Sequence, residues 1–267
     1  MPEKDTAYPL SSTDRFFSDV ERATLTALSE EHPLECLLEN PRAFEDAVIR
    51  FSFASAGIDG NAFELRDAID LLKFGCTAGA MPLDEALVLN NIHEAFVEVC
   101  RGRHANRVLF VPFLRDLHES VTHGLPIIVR KEPESVTGGS RGPLDVLLEK
   151  AQEIENAFER AAYVHLNHAC LKHFPDGNGG TARLMQAAVL ADAGLVPLLP
   201  SVEDVVPYQQ DILAYCETGD PSSHAQLFLR GYRHTIEFLN GRTEAHLKAL
   251  EEAEKAIAAC RRRRLNQ

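Results

Sequence analysis

The chain has 267 residues, and its 40 acidic side chains against 27 Lys and Arg give a formal net charge of −13. Hydrophobic residues make up 45% and charged residues 25%, the composition of an ordinary globular protein of one or two domains. No apolar run reaches the roughly 18–20 residues that span a bilayer, and the first residues lack the apolar region of a signal peptide. The acidic balance argues against a general nucleic-acid binder.

Helical periodicity dominates the chain. Apolar residues recur at the three- and four-residue spacings of an amphipathic helix over 43–55, 63–74, 84–100, 106–122, 143–172, 181–193, 205–216 and 224–239. Two short β-capable runs around Pro133 predict a small hairpin over 125–139. The predicted fold class is therefore all-α with one short β-hairpin.

The C-terminal residues 241–267 reverse the charge of the rest, with seven basic and four acidic side chains and four arginines at 261–264. A solvated helix end explains such a tail, since Arg complements the helix dipole. Contact with an acidic partner or RNA is the alternative.

Six cysteines are scattered without a C-x-x-C pair or a Cys/His cluster: Cys36, Cys76, Cys100, Cys170, Cys216 and Cys260. Their spacing signals neither a zinc site nor a disulfide framework. Because isolated thiols fit a reducing compartment, the sequence predicts a cytoplasmic protein.

A glycine-rich connection, KHFPDGNGGTAR over residues 172–183, joins two predicted helices and is called the glycine loop below. Gly177, Gly179 and Gly180 let the backbone turn sharply and approach a ligand closely. Amides at the start of the second helix face an incoming anion, which the helix dipole also attracts. The loop is therefore a candidate phosphate site.

Three polar side chains of the glycine loop extend that pattern. Asp176 supplies a hard oxygen ligand for Mg²⁺ held together with nucleotide phosphates. Asn178 can donate an amide hydrogen bond to a phosphate oxygen, and Arg183 can grip a terminal phosphate bidentately. The same residues also make a good turn and helix cap, so the pattern alone leaves a purely structural role open.

The glycine loop resembles the signature of the Fic (Fido) family, H-P-F-x-[D/E]-G-N-G-R-x-x-R. In an ungapped match Phe174 and Asp176 fall on the F and the acidic position, residues 177–179 on G-N-G, and Arg183 on the final R. The resemblance covers about 105–240. It implies a nucleotide such as ATP together with Mg²⁺, and transfer of AMP to a protein hydroxyl.

Other segments resemble further parts of the family. Residues 161–165 match its A-A-x-x-H helix, Tyr208 falls where similar proteins have Y-x-x-A-L, and the hairpin over 125–139 resembles its target-docking flap. The implied partners are a nucleotide and a protein target docked at that hairpin. No membrane or nucleic acid is implied, and a homo-oligomer stays open.

Residues 55–61, SAGIDGN, resemble the family's inhibitory-helix motif, [S/T]-x-x-x-E-[G/N]. The resemblance implies regulatory roles for Ser55, Asp59 and Gly60, with the carboxylate paired to Arg183 against a productive triphosphate pose. Asp59 is one methylene shorter than the family's Glu, so its reach to Arg183 stays open. The alternative is that this segment merely ends one helix and caps the next.

These matches divide the chain into three parts. Residues 1–104 form an N-terminal helical region with the inhibitory-like helix at 51–61, residues 105–240 a Fic-like core, and residues 241–267 a C-terminal helix with the basic tail.

Two departures from the signature bear on catalysis. Lys172 stands at the position of the family's catalytic His, a general base, and His173 follows in place of Pro. An ordinary lysine is neutral in only about one molecule in 2,500 at pH 7, although burial lowers that pKa. A histidine suits base catalysis, but His173 is displaced by about 100° if still helical. Gly180 replaces the signature's first Arg and removes a phosphate-facing cation.

Three hypotheses follow. The chain is a divergent transferase with Lys172 or His173 as base, a catalytically inactive binding or regulatory module, or a transferase with an altered donor or chemistry.

Overall fold

The structure is a computed structural model that describes residues 15–76, 82–102, 107–126 and 142–240. Within these ranges the chain is helical and forms no strand. The helices are α1 (Asp19–Glu31), α2 (Leu34–Leu38), α3 (Pro41–Ile58), α4 (Leu65–Phe74), α5 (Leu83–Arg101), α6 (Val111–Thr122), α7 (Pro143–Glu153), α8 (Ala157–Leu171), α9 (Asn178–Asp192), α10 (Val205–Thr218) and α11 (Ser222–Asn240), with a 3₁₀ turn at Val202–Asp204 before α10.

The prediction of a helical protein is confirmed. Of the hairpin predicted over 125–139, all but the first two residues lie outside the described ranges, as do residues 241–267. The division at 104 and 240 stays a prediction. None of the described helices combines the length and hydropathy needed to cross a bilayer.

Helices α8 and α9 form the centre of the molecule. Nearly every residue of both is buried, as expected for helices that are enclosed on all sides rather than packed on one face. Helices α3, α5, α6 and α10 surround the pair. The glycine loop connects α8 to α9 and therefore lies at one end of this buried helix pair.

The N-terminal helices share this core. Asn40 caps α3 by accepting from Ala43 N at 3.1 Å, and Phe51 of α3 stacks on Phe96 of α5 with ring centroids 3.9 Å apart. Asn91 of α5 donates to the carbonyl of Val121 at 3.0 Å and to the carbonyl of His123 at 2.8 Å. It therefore holds the end of α6 beside the glycine loop.

The periodic stretch over 143–172 is two helices rather than one. Asn156 breaks it, because its side chain accepts from Phe158 N at 2.9 Å and Glu159 N at 3.1 Å and so starts α8 afresh. A side-chain cap of this kind satisfies amides that a new helix leaves unpaired. The spacing of apolar residues does not reveal where α7 ends and α8 begins.

The prediction that the cysteines are isolated thiols is wrong for two of them. Cys170 at the end of α8 and Cys216 on α10 form a disulfide, with Cα atoms 5.4 Å apart and a separation of 46 positions in sequence. Packing of α10 on α8 brings them together, which spacing could not reveal. Cys36, Cys76 and Cys100 are free.

Loss of this disulfide is expected to destabilise the fold by about 2–4 kcal/mol, since a cross-link over some 46 residues restricts the unfolded chain. Urea unfolding with and without a dithiol reductant, and of Cys216→Ser, measures the effect. Cys36→Ser, which removes an exposed free thiol, is the matched control. Equal midpoints in oxidised and reduced protein would contradict the assignment.

Candidate functional site

A cleft of about 700 Å³ opens beside the glycine loop. Most of the residues singled out from the sequence line it: Asp59, Gly60, Lys172, Asp176, Gly177, Asn178, Gly179 and Arg183. Ser55 is buried behind Arg183. Gly180 is also buried and belongs to the first turn of α9. His173 lies half-buried beside Phe174, with ring centroids 5.1 Å apart.

The backbone of the glycine loop is shaped for close approach. Gly177 has φ +71°, and a Cβ on it would lie 2.8 Å from Thr122 Cγ2, so only glycine fits there. Asn178 folds back onto Phe174, accepting from its N at 2.9 Å and donating to its O at 2.7 Å. The side chain of Asn178 therefore supports the loop in this structure, instead of pointing an N–H at a ligand as the sequence suggested.

His118 of α6 fastens the loop from outside. Its ring stacks on Phe174 with centroids 3.7 Å apart, and its Nε2 lies 3.0 Å from Asp176 O. Because a carbonyl can only accept, Nε2 carries the proton. Burial lowers the pKa of His118, although the Asp176 carbonyl and carboxylate oppose the shift. No role for His118 was predicted from the sequence.

Asp176 and Lys172 are the exposed charges of the loop. Asp176 Oδ1 accepts from Gly177 N at 2.7 Å, while the carboxylate remains open to the cleft. Lys172 caps α8 in the left-handed region, with φ 45°, a conformation that glycine usually takes at this position. Among the described residues no ion pair involves Lys172.

Arg183 is buried and held by the end of α3. Its Nη2 donates to Asp59 Oδ2 at 2.6 Å and to Ser55 O at 2.9 Å, and its Nε donates to Ser55 Oγ at 2.7 Å. The shorter carboxylate thus reaches Arg183. Gly60, with φ +98°, turns the chain directly after Asp59.

Tyr208 joins Arg183 to a histidine of α8. Its hydroxyl accepts from Arg183 Nη1 at 3.4 Å and lies 2.7 Å from His165 Nε2. Burial raises the pKa of Tyr208, and burial together with nearby His224 and Arg183 holds the pKa of His165 well below its usual range. Burial alone would lower the pKa of Arg183, but Asp59 and Tyr208 raise it.

The buried polar groups behind Arg183 were missed in the sequence. His224 Nδ1 lies 2.6 Å from Asp211 Oδ2, with both side chains buried. His168 is buried on α8, and neither of its ring nitrogens has a hydrogen-bond partner in the described part of the chain. Their positions on helices give no spacing signal, because they contact groups on other elements.

His168 should make the fold sensitive to acid. Burial, helped by the nearby imidazoles of His173 and His118, lowers its pKa to about 3, whereas an unfolded histidine titrates near 6.5. The stability that comes from keeping His168 neutral is therefore present above about pH 6.5. It is lost as pH falls towards 3, because only the unfolded chain binds the proton. The slope is about 1.4 kcal/mol per pH unit.

Denaturant unfolding between pH 7 and 5 tests this. We expect His168→Phe to reduce the number of protons taken up on unfolding by about one. An unaltered slope in His168→Phe would contradict the assignment.

The residues present fit a nucleotide phosphate with Mg²⁺. The cleft volume is in the usual range for small-molecule sites, roughly 300–1,000 Å³. No group of three or more metal-ligating side chains occurs in the described ranges. Proteins commonly hold Mg²⁺ through one or two carboxylates together with substrate phosphates. Asp176 would supply the carboxylate.

Comparisons with known proteins find relatives of this chain that share one name. The chain is 26% identical over 212 residues to the protein adenylyltransferase Fic of Culex quinquefasciatus, covering 73% of this chain and 41% of the relative. The Nematostella vectensis protein of the same name is 34% identical over 93 residues, 35% of this chain and 22% of that one. The chain thus spans about two fifths or less of these curated relatives. No protein-family model matches it.

Solved structures share the fold. A Fic-1 fragment from C. elegans matches with a TM-score of 0.67 and 17% identity, over 83% of this chain and 72% of that one. A Fic-domain signaling protein from Bacteroides thetaiotaomicron matches with a TM-score of 0.63 and 19% identity, over 84% of this chain and 99% of that one. In sequence the chain is therefore similar to Fic adenylyltransferases, and it shares the helical fold of the solved Fic structures.

Proposed function

We propose that this chain binds a nucleoside triphosphate, ATP or a close analogue, with Mg²⁺ in the cleft and transfers AMP or a related phosphate-linked group to a protein hydroxyl. The observation that carries the proposal is the convergence of Arg183, Asp176 and the N-terminus of α9 on one cleft of sufficient volume. The curated relatives are named adenylyltransferases, which supports the same reaction class.

The chain's residues divide the binding work. The unpaired amides of the first turn of α9 and the helix dipole attract the phosphates. Arg183, released from Asp59, would donate to the outer phosphate, and Asp176 would hold Mg²⁺. The ion would neutralise phosphate charge when bound. Asn178 and His118 keep the loop in shape through their contacts with Phe174 and with the Asp176 carbonyl.

Transfer requires that the acceptor hydroxyl oxygen bond to the α-phosphorus while the bond to pyrophosphate breaks and a base takes the hydroxyl proton. Lys172 and His173 are the candidates for that base. Lys172 lines the cleft, whereas His173 lies against Phe174 at the edge of the loop. Lys172 is therefore the better placed, and it must act in its neutral form.

Asp59 regulates this site in our proposal. Its ion pair occupies the Arg183 guanidinium from the cleft side, so a phosphate and Asp59 compete for the same donor. Ser55 keeps the guanidinium oriented through two further hydrogen bonds, and Gly60 allows the turn that ends α3.

A second candidate is a binding or regulatory module without transfer activity. The cation at Lys172, on a strained left-handed backbone and exposed to the cleft, favours phosphate binding over proton abstraction. An altered donor is the third hypothesis, and the missing cation at Gly180 favours it.

The proposal also covers partners and location. A protein target would dock at the hairpin over 125–139, and whether the chain forms a homo-oligomer stays open. A cytoplasmic location rests on the free thiols of Cys36 and Cys76. Because disulfides are rare in that compartment, a Cys170–Cys216 bond that persists in cells would contradict this location.

The test is transfer of label to protein. Incubating Asp59→Ala with Mg²⁺ and ATP labelled at the α-phosphate, in the presence of a heat-treated cell extract whose own kinases are inactive, should label protein, whereas γ-labelled ATP should not. Arg183→Ala is the matched control and should lose the labelling. Label from the γ-phosphate, or α-label unaffected by Arg183→Ala, would contradict the proposal.

A further inference from the structure

The end of α3 lies directly on the first turn of α9. Asp59 Oδ2 is 2.6 Å from Arg183 Nη2, and the same carboxylate covers the two glycines that precede Arg183 by three and four residues. A Cβ on Gly179 would stand 2.9 Å from Asp59 Oδ1, closer than real Cβ contacts, so the carboxylate touches bare backbone there.

Gly180 has little room for a side chain. It is buried, and a Cβ on it would lie 3.2 Å from Val121 Cγ1 on one side and 3.6 Å from Asp59 Oδ2 on the other. The first distance is tight and the second is an ordinary van der Waals contact, so a methyl group would press on Val121 alone. A longer side chain at this buried position would also have to displace a neighbour. Val121 belongs to the packed core, while Asp59 is partly exposed, so Asp59 is the one that can move.

An arginine at this position adds a charge effect to the steric one. Residues three apart on a helix face the same side, so Arg at 180 would stand next to Arg183. It would repel the Arg183 guanidinium and compete with it for the Asp59 carboxylate.

We propose that Gly180 and Asp59 are a matched pair: the Asp59 carboxylate occupies space that a side chain longer than a methyl group at 180 would need, so glycine at this position leaves the carboxylate on Arg183. Gly180 is thus a positioning residue for the Asp59–Arg183 pair, in addition to being a lost phosphate contact. Restoring arginine at 180 would weaken that pair and free Arg183.

The first test needs no nucleotide. Urea unfolding of the wild type, Asp59→Ala, Gly180→Leu and the double variant forms a double-mutant cycle. We expect the factor by which Gly180→Leu shifts the unfolding equilibrium constant to be at least about fivefold smaller when Asp59 is absent. Gly57→Ala is the control, because its Cβ would face Val202 at 3.6 Å. The destabilisation caused by Gly57→Ala should be equal with and without Asp59.

Equal costs of Gly180→Leu with and without Asp59 would overturn the inference. If Gly180→Leu does not fold, Gly180→Ser replaces it, with the same sign expected and a smaller coupling. Rescue of folding by Asp59→Ala would support the pair.

The second test rests on the proposed function. Gly180→Arg should raise the affinity for Mg·ATP in both backgrounds, and the gain should be at least about fivefold larger in the wild type than in Asp59→Ala. The reason is that Gly180→Arg also frees Arg183 in the wild type, whereas Arg183 is already free of Asp59 in Asp59→Ala. An equal gain in both would mean that Gly180 is merely a missing phosphate contact, and would overturn the inference. If no variant binds ATP, the proposed function fails, while the unfolding cycle still decides on the pair.

Discussion

Replacing Lys172 with histidine is expected to raise AMP transfer by about 10²–10⁴-fold, the usual contribution of a positioned acid–base group. Histidine titrates near neutrality, whereas an ordinary lysine is almost fully protonated at pH 7. The backbone tolerates the change, since histidine is enriched among residues with positive φ, and Lys172 has φ 45°. The rate of label transfer from α-labelled ATP measures it.

Lys172→Gly is the matched control. Glycine fits the left-handed cap of α8 and removes the side chain, so it should fold and transfer no more than the wild type. If Lys172 is itself a working base, Lys172→His will lower the rate. If ATP binds and no variant transfers, including Lys172→His with Gly180→Arg, the binding-module hypothesis is correct.

Removing the Asp59 carboxylate is expected to tighten Mg·ATP binding by about 10- to 100-fold. Hydrogen bonds to charged groups contribute about 1.5–3 kcal/mol, and a phosphate must displace the one at Arg183 Nη2. Asp59→Ala leaves Ser55 in place, so the guanidinium keeps its orientation. Equilibrium titration with Mg·ATP gives the ratio of affinities.

Asp84→Ala separates this competition from a general charge effect. Asp84 lines the same cleft and is exposed, so its removal changes the cleft charge equally without touching the Arg183 pair. We expect only a small change there. Equal gains from the two variants would show that the cleft charge, and not the Asp59–Arg183 pair, limits binding.

Local patterns in the sequence predicted the helices well, because a helix that buries one face has apolar residues at three- and four-residue spacings. The exceptions depend on single side chains or on distant packing. Asn156 splits one predicted helix into α7 and α8, and Ser18 with Glu21 forms a capping box that starts α1, a helix the periodicity did not reveal. The Cys170–Cys216 pair joins elements whose proximity only the tertiary fold creates.

The site shows the same limit. The motif identified the loop and Arg183, and the structure places Asp59 against Arg183 despite its shorter side chain. The support from His118 and the closeness of Asp59 to Gly180 could not be predicted. Both depend on where α6 and α3 meet the loop, which no spacing along one helix encodes.

Calorimetric titration with ATP and Mg²⁺ of the wild type, Asp176→Ala and Arg183→Ala tests the central claim most directly, namely that the glycine loop binds nucleotide phosphate. Asp176 is exposed, so its removal spares the core and keeps the comparison valid even if Arg183→Ala is destabilised. We predict saturable binding by the wild type and a loss of affinity of about tenfold or more in each variant. Unchanged affinity in both variants would contradict it.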